Sequence, residues 1–199
     1  MPVTAADVKK LRDMTGAGMM DCKKALLETN GDYEKAIEFL RKKGMASAQK
    51  REGREAKEGL ITAYIHPGSR LGVLVEVNCE TDFVAKTPDF QSFAKDVAMQ
   101  IAATNPLAIQ REDVSSQIVE KELEIYRSQV KDGKKPEAVV EKIVQGKLDK
   151  YFQEIVLLEQ SFVKSPNKTM RDLLLEVSGK LGEKLAIRRF VRFQLGGTP

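Results

Sequence analysis

Apolar residues in this chain keep a helical spacing up to about residue 44, and from Leu60 they fall on every second position instead. That change of period excludes an all-helical or an all-strand fold, because a stripe built for 3.6 residues per turn is scattered over both faces when drawn out as a strand. The expected fold class is α+β. A small three-helix bundle occupies 1–44 and a charged linker 45–58. A core domain over 59–199 then carries about three antiparallel strands covered by helices. At 199 residues the chain is long enough for one full core and a small satellite.

In the bundle, Thr4 caps a first helix with Ala5, Val8 and Leu11 on one face. Thr15-Gly16-Ala17-Gly18 breaks it, and a second helix runs from about Met19 to Thr29 until Asn30-Gly31. Asp32 caps the third, whose Tyr33, Ala36, Ile37 and Leu40 form a buried stripe, and Gly44 is expected to end it. A bundle this small with a glycine-containing first loop resembles a ubiquitin-associated-type domain.

The core opens with a hairpin, Leu60–His66 and Leu71–Asn78 about a Pro67-Gly68-Ser69 turn. Pro88 starts a helix with Phe90, Phe93, Ala94, Val97, Ala98 and Ile101 on one side, and Asn105-Pro106 ends it. Over 116–159, two helical patterns split by Asp132-Gly133 predict a protruding antiparallel hairpin. A last helix faces Met170, Leu173, Leu174, Val177 and Leu181 inward up to Gly182. Leu185, Ile187, Val191, Phe193 and Leu195 then alternate as a final strand.

One segment stands apart. Val73, Val75 and Val77 alternate as a half-buried strand, which empties into Asn78, Cys79, Glu80, Thr81 and Asp82, followed at once by Phe83, Val84 and Ala85. An aromatic at the tip of such a turn can enter another molecule's pocket with little loss of rotamer freedom. The plainer alternative folds Phe83 and Val84 back into the core.

Composition narrows the function. Two cysteines without a CxxC spacing and a single histidine give no zinc framework. No apolar run approaches the roughly 18 residues of a membrane span, and nothing matches a phosphate-binding GxxxxGK[ST] loop or a serine nucleophile elbow. Glu80 and Asp82 read as solvated loop ends, not as an acid–base pair. The net charge is +4. The basic stretch Arg41, Lys42, Lys43, Lys50, Arg51, Arg54 and Lys57 could touch phosphates, yet no RNP, KH or arginine–glycine pattern accompanies it, so direct nucleic-acid readout is not expected. An enzyme is not expected, and neither is a cofactor nor a metal.

Two segments, Leu11-Arg12-Asp13-Met14-Thr15-Gly16-Ala17-Gly18-Met19-Met20-Asp21-Cys22-Lys23-Lys24-Ala25-Leu26 and Asn78 to Ala85, together closely resemble elongation factor Ts of bacteria and organelles. That family comprises nucleotide-exchange factors for the translational GTPase elongation factor Tu. The likeness continues through Leu157 to Val163 and Arg188 to Phe193, so it covers nearly the whole chain. Where the family usually has proline this chain has Ser161, and where it usually has Arg-Asn this chain has Lys86-Thr87. The resemblance implies binding to Tu in its GDP-bound and nucleotide-free states, and GDP release in protein biosynthesis. It implies that Phe83 wedges near the magnesium site of Tu, with Asp82 beside it and Thr81 and Val84 supporting the turn. Arg12, Met19 and Met20 are implied to grip the nucleotide domain of Tu, one of the two methionines being expected to pack in the bundle core. Short members of the family can pair, so a homodimer is among the partners considered. The expected location is the bacterial cytoplasm in preference to an organelle. A second class, a ubiquitin-like or peptide-binding adaptor using the bundle, leaves residues 60–195 unexplained.

Cys22 and Cys79 lie on a bundle helix and at the end of a core strand, so both are expected as free thiols. Titration of unfolded, non-reduced protein should count 2 thiols per chain; a count near zero would overturn this.

Overall fold

The computed structural model describes residues 3–130 and 136–197. Its elements run α1 (Ala5–Thr15), α2 (Met19–Glu28), α3 (Tyr33–Gln49), β1 (Glu58–Ile65), β2 (Leu71–Cys79), α4 (Asp82–Ala85) and α5 (Pro88–Thr104). They continue with α6 (Ser116–Val130), α7 (Glu137–Ile155), β3 (Ser161–Phe162), β4 (Ser165–Thr169), α8 (Met170–Leu181) and β5 (Ala186–Gln194). The fold is α+β as expected, with an antiparallel sheet in the order β1-β2-β5 and a separate pair β3-β4. The helix break expected at Asp132-Gly133 lies outside the described residues.

The backbone divides into two compact units. One holds the chain up to Ile61 with Glu76–Ala94 and Asp172–Arg188, and the other holds Thr62–Val75, Lys95–Arg171 and the chain from Arg189 on. All three strands of the larger sheet, α5 and α8 have residues in both.

In the first unit, local chemistry sets the helix ends. The Thr4 hydroxyl accepts the Asp7 N–H at 3.2 Å while the Asp7 carboxylate accepts the Thr4 N–H at 3.0 Å, a reciprocal cap on α1. Gly16 closes that helix at φ 69°, a left-handed conformation that costs glycine nothing. The Asp32 carboxylate caps α3 through the Lys35 N–H at 3.1 Å. Val8, Leu11, Cys22, Ala25, Leu26, Ala36 and Leu40 meet in one core.

Gly44 does not end α3, which continues to Gln49 and takes in the first residues of the expected linker. The glycine belongs to a close helix crossing. A methyl group on Gly179 of α8 would come within 2.7 Å of the Gly44 carbonyl carbon, so the two backbones touch there. The expected inward face of α8 is also too narrow. Met170, Leu173, Leu175 and Ser178 are buried, while Leu174, Val177 and Leu181 are half-buried.

β2 buries Val73, Val75 and Val77 as its alternation requires. Near its end β1 approaches so closely that a Cβ on Gly59, at φ 143°, would lie 2.1 Å from the Val77 carbonyl oxygen.

In the second unit α6 and α7 form the expected hairpin, with Leu148, Phe152 and Val156 at its core and Val119 and Leu123 packed against them. The Arg111 guanidinium lies 4.6 Å from the Phe152 ring centroid and pairs with both Glu159 and Asp149. Gln100 is buried; its Nε2 donates to the Ser161 carbonyl at 3.1 Å and its Oε1 accepts the Val163 N–H at 2.9 Å. At Ser161 this network uses a carbonyl, which a proline would supply equally. No apolar period marks the β3-β4 pair, since β3 has 2 residues and the 5 of β4, Ser165–Thr169, carry no alternation of apolar side chains. β5 departs from expectation too: Leu185 and Ile187 are buried, but Val191, Phe193 and Leu195 are exposed. Arg192 points the other way and donates to the Ala102 carbonyl at 3.3–3.4 Å, satisfying one of the open carbonyls in the last turn of α5.

The Gly44–Gly179 crossing predicts opposite signs for two similar substitutions. Gly44→Ala meets ordinary contacts at 3.7 Å and should stabilise by about 0.5–1 kcal/mol through helix propensity. Gly179→Ala should destabilise by about 1–3 kcal/mol through overpacking. Urea unfolding of both variants checks this, and equal shifts of the same sign would contradict it.

Candidate functional site

Where β2 ends, the chain turns through Glu80 and Thr81 into α4, a single helical turn of 4 residues. Thr81 is its N-cap: its hydroxyl oxygen accepts the Val84 N–H at 3.4 Å and donates its own proton to Glu183 Oε1 at 2.6 Å. The other oxygen of Glu183 accepts the N–H groups of Glu80 at 3.1 Å and Thr81 at 3.0 Å. The Glu80 carboxylate reaches back the opposite way. It accepts the Lys184 N–H at 2.6 Å and the Arg54 guanidinium at 3.3 Å, while Lys184 Nζ donates to the Arg54 carbonyl at 2.6 Å. Each loop is thus held by a carboxylate of the other. The Lys184 N–H, with Arg54 adding to it, keeps the Glu80 carboxyl below its ordinary pKa.

On this base Phe83 projects with 79% of its surface exposed, so it is not folded back as core. Val84 beside it is half-buried and Ala85 buried. The Asp82 carboxylate accepts from Lys86 Nζ at 2.6 Å, one turn along, and that bond lowers the Asp82 pKa. The same ammonium lies 6.0 Å from the Phe83 ring centroid. Thr87 donates to the Val84 carbonyl at 2.8 Å and accepts the Phe90 N–H at 3.3 Å, so it joins α4 to the start of α5. Lys86-Thr87 therefore does the ion-pairing and capping that Arg-Asn would do. Beneath the turn, the Cys79 thiol donates to the Thr81 carbonyl at 3.0 Å, and burial, with the Glu183 charge, pushes its pKa up to about 11. It stays a protonated structural thiol at neutral pH.

Arg12 is exposed on the last turn of α1, and Met19 and Met20 open α2 with 41% and 75% exposure. Neither methionine packs in the bundle core, because Cys22, Ala25 and Leu26 fill that face of α2. Met14, which sequence reasoning passed over, is exposed on α1 as well.

Both groups of residues belong to the first compact unit. Within it, α8 ties the two regions together. The aliphatic chain of Lys180 passes Gly16, where an added Cβ would come within 2.8 Å of its Cε, and its ammonium pairs with Asp89 of α5 at 2.8 Å. Arg54, Glu183 and Lys184 had no local signal in the sequence. Their partner Glu80 is up to 104 positions away in the chain.

An α+β protein that holds an aromatic ring in solvent on a braced turn defines a class: one that offers a fixed apolar projection of the kind macromolecular partners anchor on. Comparison with known proteins gives that class a family. Residues 20–197 match the family model described as Elongation factor TS. The chain is 58% identical to an elongation factor Ts of Syntrophobacter fumaroxidans, over 98% of each chain. Against that of Carboxydothermus hydrogenoformans identity is 60%, covering 98% of this chain and 89% of the relative. With that of Thermodesulfovibrio yellowstonii it shares 58%, over 100% of this chain and 98% of the relative. The chain belongs to the elongation factor Ts family.

The Glu80 bond predicts a pH dependence. Its pKa is depressed in the folded state, so its contribution is present above the ordinary value of 4.5 and is lost as pH falls through the lower folded value. Glu80→Gln should cost about 1 kcal/mol at pH 7, or about 2–4 °C in Tm. That gap should close on acidification. Melting curves of parent and variant at pH 7 and below 4 test it, and a gap constant with pH would exclude the carboxylate as its source.

Proposed function

We propose that this chain is a guanine-nucleotide exchange factor that binds elongation factor Tu in its GDP-bound form and promotes GDP release in translation elongation. Family membership supports the translational role, and the observation that carries the mechanism is the exposed Phe83 on its braced turn. A GTPase holds GDP through phosphate-binding amides, a lysine and magnesium, which together neutralise the phosphate charge. In this reading Phe83, with Asp82 beside it and Thr81 and Val84 beneath, enters near the magnesium site and displaces groups that hold the ion. The phosphates lose part of their charge compensation, and GDP leaves. The reaction makes and breaks no covalent bond, so the role is exchange, not enzymatic catalysis. The relatives' bacterial sources favour the bacterial cytoplasm, and no helix among the described residues is long and apolar enough to cross a membrane.

Arg12, Met19 and Met20 serve as the anchor in the same reading, on the bundle we assign to residues 1–44. Two exposed methionines make an adaptable apolar surface. Their contacts supply affinity, whereas exchange needs contacts that exist only when GDP is weakened. Linkage makes the loss reciprocal: a shift of about 10⁴ in GDP affinity requires roughly 5.5 kcal/mol of coupling. Burying one phenylalanine contributes about 1.5–3 kcal/mol. Further residues of the core surface must therefore share the load.

Phe83→Ala should leave stability within about 1 kcal/mol, as expected for an exposed side chain. The maximal rate of GDP release from Tu should fall at least tenfold, and Asp82→Ala should lower it less. Met20→Ala should instead raise the half-saturating concentration severalfold with the maximal rate kept within twofold. Stopped-flow release of a fluorescent GDP analogue, with melting curves, separates these effects. A Phe83→Ala variant that is stable and fully active would refute the proposal.

A further inference from the structure

We infer that Glu183 is the positioning residue of the Phe83 projection: its carboxylate, more than α4 itself, sets where the ring stands. This rests on the reading of Phe83 as the working contact and adds a residue that the family resemblance did not mark. A helix of 4 residues closes too few of its own hydrogen bonds to persist in water. Its orientation must come from the point where the chain leaves β2. Both N–H groups at that point, those of Glu80 and Thr81, end on Glu183 Oε2 at 3.1 and 3.0 Å. The Thr81 hydroxyl donates to Oε1 at 2.6 Å, which turns its lone pairs toward the Val84 N–H. One side chain therefore fixes the two backbone groups before α4 and the rotor that caps it.

The arrangement is reciprocal, because Glu80 takes the Lys184 N–H at 2.6 Å. Two neighbouring carboxylates are tolerated because each is surrounded by donors: the Glu80 and Thr81 backbone and the Thr81 hydroxyl for Glu183, and Lys184 and Arg54 for Glu80. Removing the Glu183 carboxylate leaves Glu80 and its partners in place. It frees the Thr81 hydroxyl to rotate and the first turn to swing. Glutamine at this position keeps one oxygen for the two N–H groups and offers an amide N–H that Thr81 Oγ1 can accept in place of donating, so it should restore much of the geometry.

The chain has 0 tryptophans, so Phe83→Trp places a single indole on the projection. In time-resolved anisotropy the fast local component should be small in Phe83→Trp. It should at least double in amplitude when Glu183→Ala is added, and lie between these values with Glu183→Gln. Equal amplitudes in all three proteins would overturn the inference. With Phe83 intact, Glu183→Ala should lower the maximal GDP release rate from Tu at least fivefold. The half-saturating concentration should stay within twofold, and Glu183→Gln should recover more than half of the rate. A Glu183→Ala protein that melts earlier but releases GDP at the parent's maximal rate would show a merely structural role and overturn it as well. If Glu183→Ala does not fold, Glu183→Gln against the parent decides by the same two readouts. If Phe83→Ala is fully active, the exchange reading fails, and anisotropy still decides whether Glu183 holds the turn.

Discussion

A single helical turn closes too few backbone hydrogen bonds to offset the chain entropy it costs, so α4 takes its form from what binds its ends. At one end Thr81 is held by Glu183, and at the other Thr87 joins the turn to the long helix α5. The position of Phe83 is thus borrowed from the ordered segments on either side. Most of the unusual chemistry of the first unit follows from that need. A carboxylate sits among backbone donors, a second carboxylate returns the bond, and a buried thiol closes the space beneath.

The same need explains the tight packing at the C-terminal end of α8. Glu183 lies just past this helix, so any freedom of α8 would become freedom of the turn. The contact of Gly179 with Gly44 puts backbone directly on backbone, and Lys180 adds a contact at Gly16 and an ion pair to Asp89. The ion pair is half-exposed and contributes little to stability by itself. Its effect is directional, since it joins the last turn of α8 to the first turn of α5.

What could be read in the sequence were features whose cause is local. The alternation of Val73, Val75 and Val77, the caps at Thr4 and Asp32, and the left-handed Gly16 (φ 69°) and Gly31 (φ 84°) all depend on neighbours within a few positions. The exposure of Phe83 was not decided locally: the polar turn allowed the ring to project or to fold back as core, and only the family resemblance favoured projection. Features set by distant partners were not legible. Gly44 looked like a helix stop because its reason, Gly179, lies far along the chain. Glu183, next to Gly182 and Lys184, carries no local mark of its role, because its partners Glu80 and Thr81 lie about a hundred positions earlier. The apolar alternation of β5 continued past the point where anything covers it, because period alone does not say which face is packed. Arg54 stood among the basic residues of the expected linker, yet it pairs with Glu80.

Because the methionine surface of α2 and the Phe83 turn belong to one compact unit, contact at one fixes the distance and bearing of the other. If they serve as anchor and wedge, the second contact is an intramolecular event, governed by an effective concentration instead of the bulk one. Effective concentration is greatest where the connection is stiff and matched to the span. A flexible tether of the same length would dilute the ring over a volume of solvent. Two glycines touching without side chains between them keep that volume small.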